Sequence, residues 1–151
     1  MRGLAVRNID VSVLKSKRDV SAVQYVETAR ELLIFTLQKC LKFPKRYTFF
    51  ITTEIVRLAQ DVFNCVKSAN SIFVTNAHEL QLRRDYLTKA NCALQCLISH
   101  LDIAKSVIGS NDIKSESWKR WMDFIELEAK LIAAVKKSDK ERHSKFAHQQ
   151  S

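Results

Sequence analysis

The sequence predicts an all-α protein, an antiparallel up-down four-helix bundle with short connections and disordered basic tails, and three observations point to it. Two glycines and a single proline in 151 residues leave little material for tight β-turns or glycine-rich loops. Apolar residues recur at steps of three and four through four separate stretches, which places one apolar stripe on each of four helices. A chain of this length suits one domain, and helices joined by short links bury single stripes most simply by packing side by side.

The first helix is expected from about Asp19 to Lys42, with Ala22, Val26, Ala29, Leu33, Leu37 and Cys40 as its inner stripe. Pro44 stops it, because proline disfavours helix at Phe43 and supplies no amide to continue the ladder. The second begins near Arg46 or Tyr47 and carries Ile51, Ile55, Leu58, Val62, Cys65 and Ala69 at the coiled-coil-like spacing of a bundle helix. It closes at Asn70 and Ser71, and Ile72 to Thr75 is the link. Asn76 and Glu79 have the spacing of a capping box, which opens the third helix. Leu80, Leu87, Ala90, Leu94, Leu97, Leu101, Ala104 and Ile108 keep one face down to Gly109, over roughly 45 Å at about 1.5 Å per residue. Gly109 to Asp112 is the turn, with the glycine suited to a left-handed cap. The fourth helix is expected from Ser115 to Lys137, with Trp118, Trp121, Ile125, Ile132 and Val135 inward. Domain limits follow: a bundle over 19–137, flanked by polar basic tails at 1–18 and 138–151 with no sustained period.

Catalysis finds no support in these residues. Neither GxxxxGK[ST] nor GxGxxG occurs, and no nucleophile, base and orienting group can be assembled, so the chain reads as a non-enzyme without cofactor or metal. His78, His100, His143 and His148 lack metal-binding spacing, and His100 reads as a surface or partly buried helix residue. Cys40, Cys65, Cys92 and Cys96 lie in apolar helical stretches without paired CxxC spacing and read as small core residues of a reducing compartment. Met1 to Val13 is too short and too charged for a secretory core, and no run of about 18 apolar residues exists, so a cytoplasmic location without a membrane span is expected.

Charge is the informative property. Lys plus Arg number 25 against 16 Asp plus Glu, a formal net charge of +9, which favours polyanionic partners. Lys39, Lys42, Lys45 and Arg46 cluster at the first corner, and no acidic residue falls between Glu31 and Glu54 to neutralise them. Phosphate contacts need such a local excess. Phe43, Tyr47, Phe49 and Phe50 interleave with the cations, either as a platform for single-stranded bases or as staples to the core. Arg83 and Arg84 form a second cluster, with Arg83 on the buried stripe between Leu80 and Leu87. A charge there needs a partner, Asp85 or Glu79, or else an overhang, a subunit interface or a channel.

Three segments carry a resemblance to a known family. Phe43-Pro44-Lys45-Arg46-Tyr47, Lys67-Ser68-Ala69-Asn70 and Leu82-Arg83-Arg84-Asp85-Tyr86-Leu87 resemble the accessory variability determinant family of diversity-generating retroelements, related to bundle proteins of ribosomal RNA intervening sequences. The resemblance spans about Ser21 to Lys137. It implies a homopentameric barrel of bundles with a basic surface, binding reverse transcriptase and RNA or cDNA during mutagenic retrohoming. One departure is Ala133-Ala134-Val135, where family members often carry a Gly-Trp pair. Two functions of different class follow: a nucleic-acid-binding accessory subunit using Lys39, Lys42, Lys45, Arg46, Arg83 and Arg84, or a structural helical oligomer that docks an acidic protein partner without nucleic acid.

Overall fold

A computed structural model describes residues 23–109 and 113–147, and no strand occurs among them. Helix α1 covers 23–40, α2 Thr53–Ser71, α3 Ala77–Ile108 and α4 Ser115–Arg142, with a one-turn α5 at Ser144–Ala147. Residues 1–22, which hold the tail expected at 1–18 and the expected start of the first helix from Asp19 to Ala22, the turn residues 110–112 and the last residues, 148–151, lie outside the described residues.

The inner face of α1 differs from the expected stripe. Tyr25, Ala29, Leu32, Phe35 and Thr36 are buried, whereas Leu33 is half-buried and Leu37 is exposed. The run Leu32-Leu33-Ile34-Phe35 supplies apolar residues to every face, so spacing alone fits more than one phase. Thr36 decides between them, because its hydroxyl is satisfied inside the core by donating to the Leu32 carbonyl (2.7 Å) and accepting from Trp121 Nε1 (2.9 Å). At the end of α1 the amides of Lys42 and Phe43 turn to the carbonyls of Lys39 and Cys40, and Pro44 adopts an extended ψ of 136°. The chain re-enters helix through a 3-10 turn, Lys45–Tyr47, and a π turn, Thr48–Thr52, before α2 proper. Within α2, Val66 is buried and Cys65, expected on the stripe, is half-buried.

Asn76 caps α3 as its spacing predicts, its Oδ1 accepting from the Glu79 amide at 2.9 Å. The Glu79 carboxylate reaches one residue further back than a capping box requires, to the amide (2.8 Å) and hydroxyl (2.9 Å) of Thr75. Those two bonds hold its carboxyl below the usual range. The α3 face from Leu87 to Ile108 is buried as read from sequence, with Leu80 half-buried at the open end. Gly109 ends the helix at φ 81° and ψ 171°, an extended conformation and not the left-handed helical cap expected, though equally reserved for glycine.

Helix α4 runs past Lys137 to Arg142, and α5 follows after a turn at His143, so residues 138–142 and 144–147 of the expected C-terminal tail are helical. Ser138-Asp139-Lys140-Glu141-Arg142 has no apolar residue to mark a helix. Its anchor is the buried Asp139, paired with Arg83.

One buried cluster takes residues from α1 to α4 and from the turn at Phe43. Polar contacts set which residues of neighbouring helices meet: Tyr25 with Asn70, Thr36 with Trp121, Arg83 with Asp139, and Lys136 with Thr88. Glu128 sits within this core with no exposed surface, and among the described residues neither carboxyl oxygen has a hydrogen-bond partner. It fills the gap in the α4 stripe between Ile125 and Ile132.

Burial pushes the Glu128 carboxyl up to about 8. An unfolded glutamate releases its proton at about pH 4.3, so between these limits the native state binds one proton more than the unfolded state. Its contribution is therefore intact in acid, is lost as pH rises towards about 8, and is level beyond. Denaturant unfolding of the wild type and Glu128→Gln should diverge across that range, the wild type losing up to about 1.4 kcal/mol per pH unit relative to the variant. Parallel pH profiles would show that Glu128 carries no such proton.

Candidate nucleic-acid interface

The first basic cluster sits where α1 ends and the 3-10 turn begins. Phe43 is buried and fixes the bend, which leaves Lys42 and Lys45 at the surface on either side of Pro44. Lys39 lies with Nζ 5.4 Å from the Phe35 ring centroid, and the Arg46 guanidinium lies 4.8 Å from that of Tyr47. Lys39 and Lys42 share a cavity of about 180 Å³ with Phe43, Ile113, Ser117 and Lys114, the last residue before α4. Lys114 was not among the residues singled out from sequence, because a contact some seventy positions distant leaves no local signal. Among the described residues no carboxylate lines this cavity, and three lysines do.

The four aromatics divide between the two roles open to them. Phe43 is buried and Tyr47 half-buried, whereas Phe49 and Phe50 are exposed at 88% and 85%.

Arg83 and Arg84 part company. Arg83 Nε donates to Asp139 Oδ2 at 2.6 Å and Nη1 to the Ala69 carbonyl at 3.2 Å, with the side chain 14% exposed. Its partner is thus neither Asp85 nor Glu79, whose side chains bond instead to Gln81 and Thr75. An arginine whose fork is engaged inside the protein has little left to offer a phosphate. Arg84 points outward, lining a cavity of about 230 Å³ with Leu80, Gln81, Leu87, Lys136, Asp139 and Lys140. The six candidate residues therefore form two groups, at the two ends of α2. The path from Thr53 beside the corner to Ala69 beside Arg83 is roughly 24 Å at about 1.5 Å per residue.

Other chemistry stays sparse among the described residues. No group of three or more His, Cys, Asp or Glu side chains could hold a metal ion, and no helix is long and apolar enough to cross a membrane. Burial pushes the Cys40 thiol up to about 12, which makes it inert. Cys92 and Cys96, expected as core residues, are exposed on the outer face of α3, since the inner face is taken by Ala90, Ala93, Leu94 and Leu97. No protein-family model, curated protein or solved structure matches the chain.

The two neighbouring arginines should respond in opposite ways to truncation. Arg83→Ala strands a nearly buried carboxylate and should cost about 2–4 kcal/mol in chemical denaturation, whereas exposed Arg84→Ala should stay within about 0.5 kcal/mol. Equal effects would place Arg83 outside the structural network.

Proposed function

We propose that the chain is a non-catalytic accessory protein that binds RNA or DNA, together with the reverse transcriptase of a diversity-generating retroelement, in the cytoplasm. The observation that carries this reading is the corner itself: Lys39 and Lys42 share a cavity with Lys114, the residue before α4, Lys45 and Arg46 follow just past Pro44, and no acidic residue falls between Glu31 and Glu54 in the sequence. A polyphosphate rewards such a run, because each neutralised phosphate releases condensed counterions. The second cavity, where Arg84, Lys136 and Lys140 stand beside the Asp139 carboxylate at the opposite end of α2, is of mixed charge and is not assigned to the ligand.

The helices are read as an antiparallel, up-down four-helix bundle. Paired positions rise in one helix as they fall in its neighbour, as with Arg83 to Asp139 and Thr88 to Lys136 between α3 and α4. Assembly into a homopentamer rests on the resemblance of the three motifs to the accessory variability determinant family, as does the reverse-transcriptase partner. Polymerisation would be the partner's chemistry; this chain would hold the nucleic acid near it.

Replacing Lys42, Lys45 and Arg46 together by Gln tests the reading. Binding to heterologous RNA or DNA should weaken for all sequences alike, and the dependence of log affinity on log salt should become shallower by roughly one unit per lost contact. The control carries Gln at Lys119, Lys130 and Lys137; Arg120 is left in place because its guanidinium lies over the Phe35 and Phe124 rings. Equal losses from both variants would mean that only total charge matters, and the corner would not be the site.

A further inference from the structure

Leu41, Phe49 and Phe50 stand 86%, 88% and 85% exposed on the corner that carries Lys42, Lys45 and Arg46. Aromatic side chains stabilise a fold by leaving water, so rings exposed to this degree add little to it. Their turn is nevertheless fixed on both sides. Phe43 and Ile51, which bracket it, are both buried in the core, and Thr53 Oγ1 donates to the Thr48 carbonyl at 2.7 Å across the π turn. Tyr47 packs against the core beneath Arg46. The two rings are thus held outward by an anchored turn, with cations immediately before them in the chain.

We propose that Phe49 and Phe50 are a stacking platform for unpaired bases, so that the ligand of this corner is single-stranded nucleic acid. The inference rests on the nucleic-acid reading above and narrows it. A duplex covers both faces of each base with its neighbours, whereas a single strand can lay bases on exposed rings while its phosphates pass Lys42, Lys45 and Arg46. A symmetric contact with a second copy would set these same cations against each other, which disfavours that occupant. The platform is independent of base identity, since every base has a π face, so tracts of different sequence bind alike.

Fluorescence anisotropy with a labelled oligothymidine strand and a duplex of equal length tests this on the full chain. Two double variants are compared with the wild type: Phe49→Ala with Phe50→Ala, and Phe49→Leu with Phe50→Leu, the second keeping apolar area while removing the π faces. Both should lose single-strand affinity by roughly tenfold or more, with duplex affinity little changed and the salt slope retained. Retention of single-strand affinity by the Leu pair would overturn the proposal, as would equal loss on strand and duplex. Dissociation of an oligomer in either variant, seen by sedimentation, would overturn it too by assigning the rings to a contact between copies. So would vesicle binding, on phosphatidylserine-containing membranes, that follows apolar area while strand affinity is untouched. In each case the nucleic-acid reading is judged separately, by whether the Lys42, Lys45 and Arg46 triple variant flattens the salt slope.

Discussion

Trp121 has no exposed surface, and its indole N–H must find an acceptor inside the core. It finds Thr36 Oγ1 at 2.9 Å, which itself donates to the Leu32 carbonyl, so a short polar chain crosses from α4 into α1 with every member satisfied. Leaving one such group unpaired costs about 1–3 kcal/mol, which makes this contact a strict constraint on how the two helices face each other. Aromatic packing reinforces it. Phe35 meets the indole edge-on at 5.5 Å, Trp118 lies 5.6 Å away and Phe43 6.1 Å away. Because Phe43 is the last buried residue before Pro44, the same cluster sets the position of the basic turn relative to the start of α4. Lys114 thereby comes beside Lys39 and Lys42.

The opposite end of the core is held by charge and hydrogen bonds. Arg83, Asp139 and the Ala69 carbonyl tie α3, α4 and α2 together, and Tyr25 donates to Asn70 between α1 and α2 at 3.1 Å. Burial raises the tyrosine's pKa, which keeps its hydroxyl a donor across the physiological range. Glu128 differs from these groups in being buried with no hydrogen-bond partner among the described residues, and it stays in the core by remaining protonated. A buried ion pair is weak evidence for net stability, but losing one member of it is costly, and that asymmetry ties the extended end of α4 to Arg83.

How legible each feature was in the sequence follows from the range of the interaction that creates it. The α3 cap at Asn76 and Glu79 and the stop at Gly109 are local, and both stand where the residues predict. The α3 stripe was readable because Leu87, Ala90, Leu94, Leu97, Leu101, Ala104 and Ile108 keep an unbroken alternation of three and four, even though Leu82, Ile103 and Val107 are exposed on the outer face. In α1 the apolar run from Leu32 to Phe35 permits several phases, and the choice depends on Trp121, eighty-five positions from Thr36. The end of α4 was missed because a helix anchored by one buried aspartate has no apolar period. For the site, the cluster from Lys39 to Arg46 and the ambiguity of its aromatics were visible. The internal engagement of Arg83, the arrival of Lys114 and the outward position of Phe49 and Phe50 all depend on tertiary contacts.

On the proposed function a polyanion is held at one end of the fold, while Arg83, at the other end, is engaged internally with Asp139 and the Ala69 carbonyl. Amide hydrogen exchange of the intact protein, with and without saturating RNA at moderate salt, tests that division most directly. Slowed exchange concentrated in residues 39–50 and around Lys114, with the Arg83 region unchanged, is the predicted result. Protection confined to α3 and the end of α4, or no RNA-dependent protection anywhere, would contradict it.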